Sequence, residues 1–166
     1  TTMLAKLAAL LNIPLITSAS VPDGPNGPLM PEIHASAPHA VYLSRMGEIN
    51  AWDNEDFVET IRATGRNTLI IAGVWTSVCV AFPALDARAA GYNVHAVLDA
   101  SGDPSEFVSR ITMARLAQAG KEYSQQAAED LQKVQAILAE QRETKKAVSD
   151  KLARTEVRAP VDGIVH

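Results

Sequence analysis

Residues 68–80 read TLIIAGVWTSVCV, and this stretch decides the fold. Its first part, residues 68–74, is a continuous apolar run rich in β-branched residues. Such a run is typical of a strand buried on both faces of a parallel sheet. A helix is predicted over residues 77–90, ending at Gly91. Cys79 therefore lies where a buried strand passes into a helix.

The sequence on either side continues the alternation of strand and helix. Before the run, we expect a strand at 15–17, a short strand at 40–43 and a helix that Asp53 caps and Gly65 ends. A helix at 3–11 precedes them, and Asn12 is a plausible stop for it. After the run come a strand at 93–98 and a helix at 105–119, which Gly120 stops. This order predicts an α/β fold with a mostly parallel sheet, whose site lies at the carboxyl ends of the strands.

The pattern changes after Gly120. Residues 121–156 are predicted to form one long helix, because residues 122–155 contain neither Gly nor Pro and are rich in strong helix formers. A heptad-like 4-3 spacing joins Ala127, Leu131, Val134, Leu138, Gln141, Lys145, Val148, Leu152 and Thr155. Such a seam needs a partner helix. Residues 157–166 read as part of a β-hairpin that turns at Asp162-Gly163.

Composition excludes several kinds of site. A net charge of −4 argues against a nucleic-acid partner. The single cysteine, Cys79, rules out an internal disulfide and suits a reducing compartment, so we expect a cytoplasmic protein. The four histidines show no metal-ligand spacing, and no apolar run reaches the length of a transmembrane segment. We therefore expect neither a metal nor an organic cofactor.

Cys79 is the candidate nucleophile. At the start of a helix, unpaired backbone N–H groups and the helix dipole favour a thiolate, and the same N–H groups can hold an oxyanion. A buried, unreactive cysteine fits this position equally well, since free cysteine is among the most buried residue types. Position alone leaves both interpretations open.

Residues 3–120 resemble the isochorismatase-like cysteine hydrolases, and among them the YcaC-type branch. The resemblance rests on residues 24–29 (GPNGPL), 50–57 (NAWDNEDF), 69–74 (LIIAGV), 78–85 (VCVAFPAL) and 99–102 (DASG), in this order. It implies a three-layer, doubly wound parallel sheet that lacks the family's first strand, with residues 1–120 forming an incomplete hydrolase domain. It further implies a small-molecule substrate with an amide-like or related bond, and a homo-oligomer.

The family uses an Asp–Lys–Cys triad, which implies specific roles here. Cys79 would be the nucleophile, and the backbone N–H groups of Trp75 and Cys79 would form the oxyanion hole beyond a cis peptide between Val74 and Trp75. Arg45 stands in place of the family lysine; it would favour a thiolate but is a poor proton donor or acceptor. A surface ion pair is the alternative role for Arg45. No residue matches the family aspartate, so we expect impaired hydrolysis.

Residues 121–165 resemble a different family, the membrane fusion proteins that act as periplasmic adaptors of type I secretion. The resemblance rests on residues 152–165 (LARTEVRAPVDGIV), which follow the heptad helix like a lipoyl half-motif. It implies an alternative function as a coiled-coil adaptor segment, located in the periplasm. A third possibility is a composite chain in which neither function is complete.

Overall fold

A computed structural model describes residues 1–155, apart from the side chains at 123, 126, 127 and 153–155. Its helices and strands alternate along the chain, as the sequence predicts. In chain order they are α1 (Thr2–Leu10), β1 (Ile16–Ser20), α2 (Pro31–Ser36), β2 (Val41–Arg45), α3 (Glu55–Ala63), β3 (Thr68–Ile71), α4 (Ala81–Ala89), β4 (Asn93–Ala96) and α5 (Glu106–Thr155).

The first half of the fold is a parallel pair of strands with two small helices. Strand β1 pairs with β2 in parallel, from Ile16 opposite Val41 to Ser20 opposite Arg45. Helix α1 ends at Leu10, and the chain turns away at Asn12, the predicted stop, whose φ is 52°. Helices α1 and α2 pack together around a small core of Ala5, Ile33 and Ala37.

The second half is built on the fold-deciding stretch. Strand β3 pairs with β4 in parallel, from Thr68 opposite Asn93 to Ile71 opposite Ala96. Helix α4 packs against β4. The side chain of Val80 is fully buried at the start of this helix. The helix is rich in small residues, and its Ala81, Ala84 and Ala87 are buried as well.

The strands do not form the one parallel sheet that was expected. Among the described residues, β1 pairs only with β2 and β3 only with β4, which leaves two sheets of two strands each. The prediction that the run at 68–74 is buried on both faces is wrong at Ile70, whose residue surface is 61% exposed. No described element covers that side of β3.

Helix α3 begins one residue later than predicted. Asn54, and not Asp53, is its N-cap: the Asn54 side chain accepts a hydrogen bond from the N–H of Phe57 at 2.9 Å. Asp53 lies in the preceding 3₁₀ turn, Ala51–Asp53. Glu55 and Asp56 occupy the first turn as expected, where carboxylates favour the helix dipole.

The prediction that Gly120 stops a helix is wrong. Helix α5 runs from Glu106 to Thr155, and Gly120 lies inside it. A glycine in a helix costs only about 1 kcal/mol relative to alanine, which the good helix formers that follow offset. The chain divides into a compact unit Thr1–Ala119 and a second unit Gly120–His166. The predicted hairpin at 157–166 lies outside the described residues.

Within residues 1–155, no helix combines the length and the apolar composition that crossing a membrane requires.

Candidate active site at the β3–α4 turn

Cys79 lies in a tight turn that leads from β3 into α4. After β3, a cis peptide joins Val74 and Trp75, as the family resemblance implies. A π-helical turn, Thr76–Val80, then carries Cys79 directly into α4, which begins at Ala81 and not at Ser77. Cys79 is half-buried, and among the described residues its Sγ has no hydrogen-bond partner. The thiol therefore lies at the start of the helix, as predicted, but no described group is in place to take its proton.

The backbone N–H groups of this turn are mostly engaged. The N–H of Cys79 donates to the carbonyl of Trp75 at 2.8 Å, and the N–H of Thr76 donates to the carbonyl of Gly102 at 2.8 Å. The Cys79 N–H thus closes the turn internally, and its expected part in an oxyanion hole stays a prediction. The N–H of Trp75, beside the parallel bridge between Val74 and Gly102, is the other donor that the family resemblance implies for an oxyanion.

Asp103 holds the turn from the other side, and sequence reasoning missed it. Its Oδ1 accepts the N–H of Ser77 at 2.8 Å, and its Oδ2 accepts the hydroxyl of Ser109 at 2.9 Å. Burial opposes ionisation of Asp103, but hydrogen bonds from Ser77, Ser109 and Thr76 outweigh it and lower the pKa of this carboxyl. A carboxylate thus occupies one of the helix-start N–H groups that an anion would otherwise use.

Arg45, the last residue of β2, is buried with only 4% of its surface exposed. Its Nε donates to the Ser18 hydroxyl at 3.0 Å, and its Nη1 donates to the carbonyls of Glu48 at 2.6 Å and Ile49 at 2.7 Å. Within the described part of the chain, no carboxylate lies within 4.0 Å of it. The surface ion pair considered for Arg45 is therefore wrong: this is a buried cation held by neutral oxygens.

The loop after β2 connects Arg45 to the helix that follows Cys79. Next to Ile49, the amide of Asn50 donates to Asp86 of α4 at 2.6 Å. Beyond it, the rings of Trp52 and Tyr92 meet edge to face, 5.6 Å apart. These contacts join the two halves of the fold on the side where β2 ends. They do not bring the Arg45 guanidinium and the Cys79 thiol into a hydrogen bond.

The described residues contain no group of three or more His, Cys, Asp or Glu that could hold a metal ion. His34 contacts the Thr17 hydroxyl at 3.0 Å, and His39 contacts the carbonyl of Ile13 at 3.1 Å, so both histidines have local structural partners.

The sequence signal for Asp103 was present but weak. It stands directly after the matching stretch at 99–102 and three residues before α5, where it resembles an ordinary helix-start carboxylate. The tertiary structure shows what the sequence does not: the parallel bridge between Val74 and Gly102 sets the Asp103 segment beside the Cys79 turn.

Comparisons with known proteins agree with this geometry. Residues 6–128 match the model of the isochorismatase domain family. The probable hydrolase YcaC of Escherichia coli is 53% identical over 117 residues, which is 70% of this chain and 56% of that protein. Isochorismatase domain-containing protein 2A of the mouse is 30% identical over 118 residues, or 69% of this chain and 53% of that protein.

Solved structures of two YcaC proteins share the fold. The E. coli structure, described as an octameric hydrolase of unknown specificity, has a TM-score of 0.68 and covers 70% of this chain and 57% of that one. YcaC from Pseudomonas aeruginosa, solved with hexane-2,5-diol and covalent acrylamide, is 52% identical with a TM-score of 0.69, covering 70% of this chain and 58% of that one.

The matched part of this chain thus spans little more than half the length of these relatives. The family match ends at residue 128, so the resemblance of residues 121–165 to membrane fusion proteins stays a prediction. On the match over residues 6–128 and the half-identical YcaC relatives, this chain belongs to the isochorismatase-like hydrolase family.

Proposed function

We propose that this chain is a cysteine hydrolase that acts on an amide-like or related bond of a small molecule, with Cys79 as its nucleophile. One observation carries the proposal. The only thiol of a chain from a hydrolase family lies half-buried at the carboxyl end of β3, directly before α4, with its Sγ unpartnered among the described residues. A group in that position is available to a substrate.

The chemistry follows two steps. The Cys79 thiolate adds to the carbonyl carbon, and the leaving group departs with a proton, which gives a thioester. Water then hydrolyses the thioester and restores the thiol. The N–H of Trp75 would stabilise the oxyanion, and the positive charge of Arg45 would favour the thiolate.

We propose that this chain turns over weakly when it acts alone. No described group accepts a hydrogen bond from the Cys79 thiol, so no base is already paired with it. Arg45 donates three hydrogen bonds to neutral oxygens and cannot act as a base, because it stays protonated.

Acrylamide labelling of Cys79 tests the nucleophile. A thiolate adds to the β-carbon of acrylamide, and YcaC from P. aeruginosa was solved with covalent acrylamide. Mass spectrometry of the folded chain at pH 7 should show labelling faster than in the same chain unfolded in urea. Equal or slower labelling of the folded chain would contradict an activated nucleophile. The Cys79→Ser variant is the control and should take up no label.

A panel of small amides tests the impairment. We expect hydrolysis at or near the background that the Cys79→Ala variant shows. Clear hydrolysis that Cys79→Ala abolishes would keep the nucleophile and overturn the proposed impairment, because it would show that a base is present.

The remaining expectations are also proposals. We place the protein in the cytoplasm, where its lone thiol stays reduced, and propose a homo-oligomer, since its E. coli relative YcaC is described as an octamer. The second candidate function is the adaptor segment. It is favoured by one observation, the length of α5 together with its exposed seam of apolar residues. The hydrolase proposal is preferred because the family match covers residues 6–128.

A further inference from the structure

The second half of α5 carries apolar side chains that no described element covers. Leu131, Val134, Leu138, Val148 and Leu152 are each 47–66% exposed. Together with positions 141 and 145 they fall at alternating steps of three and four residues, so they occupy a and d positions of a heptad and form one stripe along the helix. We call these five residues the seam. A solvated helix rarely keeps such a stripe unless another helix covers it.

Two polar residues interrupt the seam at its centre. Gln141 takes a d position and Lys145 takes an a position, where the heptad places side chains against the partner helix. In a parallel, in-register pair of two copies, Lys145 would face the partner's Lys145. Two ammonium groups buried against each other are strongly unfavourable.

An antiparallel pair removes this conflict in one register only. With the pair centred on residue 143, Gln141 faces the partner's Lys145, and the amide oxygen can accept from the ammonium group. The same register sets Leu138 against the partner's Val148, and Val134 against the partner's Leu152. A shift of one heptad in either direction sets Lys145 against the partner's Val134 or Val148, which leaves a buried charge against an apolar side chain.

The charge along the helix favours the same arrangement. Residues 129–143 carry four acidic and two basic side chains, whereas residues 144–155 carry one acidic and four basic. Averaged over each half, antiparallel pairing about residue 143 brings a net negative half of one helix near a net positive half of the other. Parallel pairing would put like charges side by side.

We propose that the seam is the contact between two copies of this chain, which pair their α5 helices antiparallel in the register that sets Gln141 against the partner's Lys145. The contact does not depend on the proposed hydrolysis, and it gives the proposed homo-oligomer a specific interface. It also accounts for the polar residues in the seam, since buried polar residues select register and orientation in coiled coils.

Disulfide trapping in the full chain tests the register. In a Cys79→Ser background, one variant carries Leu138→Cys and a second, distinguishable by a tag, carries Val148→Cys. Mixed and oxidised, the two should form mainly the 138–148 disulfide, with the two homodimers in the minority. Predominant 138–138 and 148–148 disulfides would show a parallel pair and overturn the proposal, as would the lack of any seam disulfide.

Molar mass in solution tests whether the seam makes the contact at all. Leu138→Glu should raise the concentration for half-association by at least about tenfold. Ala136→Glu places the same residue on the exposed side of the helix away from the seam, and should leave association unchanged. Equal masses for wild type and Leu138→Glu at every concentration would overturn the proposal. Both measurements are independent of substrate turnover and of Cys79 reactivity.

Discussion

Asp103 is the residue that most directly shapes the turn around Cys79. It fixes the N–H of Ser77 and the hydroxyl of Ser109, and so ties the start of α5 to the turn that begins α4. These hydrogen bonds favour the ionised form, which is why its pKa is lowered although burial acts the other way. The carboxylate therefore stabilises the fold where the candidate nucleophile lies.

Replacing Asp103 should make this contribution measurable. We expect Asp103→Ala to lower the free energy of unfolding by about 1 kcal/mol at pH 7, because two hydrogen bonds to a charged acceptor are lost in a half-exposed place. A group with a lowered pKa contributes stability above its unfolded pKa and loses it as the pH falls through its folded pKa. The difference between wild type and Asp103→Ala, from urea unfolding, should shrink below about pH 4.

The isosteric variant is the control for that pH dependence. Asp103→Asn keeps an oxygen for the N–H of Ser77 and should lose less stability at neutral pH. Its difference from Asp103→Ala should not depend on pH in the acid range. A wild-type advantage over Asp103→Ala that stays constant from pH 7 to pH 3 would contradict a stabilising ionised carboxylate.

Arg45 shows how far a single residue can be interpreted from sequence. The family resemblance marked its position, but burial and hydrogen-bond partners depend on the loop at 46–50, which no local pattern predicts. A cation buried among carbonyl oxygens would be costly in isolation, and the hydrogen bonds from Nε and Nη1 offset part of that cost. Arg45 thus supports the loop that reaches α4, besides any role at Cys79.

At the scale of elements, periodicity predicted which helices and strands exist better than where they end. The β-rich runs around Ile16, Ile70 and Val94 became strands because branched apolar residues suit the extended chain. The predicted helix starts were wrong where a side-chain cap or an unusual turn sets the boundary. Asn54, and not Asp53, caps α3, and a π-helical turn precedes α4. Such features depend on single hydrogen bonds rather than on patterns.

Gly120 is the sharpest boundary error, and glycine substitutions test it. Gly120 lies inside α5 with open space where a Cβ would be, so Gly120→Ala should raise the free energy of unfolding by about 0.5–1 kcal/mol through helix propensity alone. Gly65, at a φ of +65° after α3, is the matched control: Gly65→Ala should destabilise by about 1 kcal/mol. Thermal unfolding followed by circular dichroism measures both.

The two outcomes at Gly120 separate a continuous helix from a helix that stops there. A chain that turned back at Gly120 would need the left-handed conformation that alanine disfavours, so Gly120→Ala would then resemble Gly65→Ala in its effect. Opposite signs for the two variants support the uninterrupted α5, and equal signs contradict it.

At the scale of the whole molecule, the division of the sheet matters most. The family resemblance predicted a missing first strand, and the described residues form two strand pairs in place of one sheet. Three contacts hold the two strand pairs within one compact unit. They are the hydrogen bond from Asn50 to Asp86, the ring contact of Trp52 with Tyr92, and the hydrogen bond from the Thr1 hydroxyl to the carbonyl of Ala100. Periodicity could not predict this, because a strand pattern shows that a residue suits a sheet but not whether a neighbour is present to cover it.

Ile70 tests whether that side of β3 is uncovered in the folded protein. If it is as open as its 61% exposure indicates, Ile70→Thr should change the free energy of unfolding by less than about 0.5 kcal/mol, because threonine is also β-branched and little apolar surface is lost. Ile61→Thr, at a side chain 5% exposed in α3, should cost about 2–3 kcal/mol in the same urea titration. A loss at Ile70 as large as that at Ile61 would show that another segment or another copy covers β3 and completes the sheet.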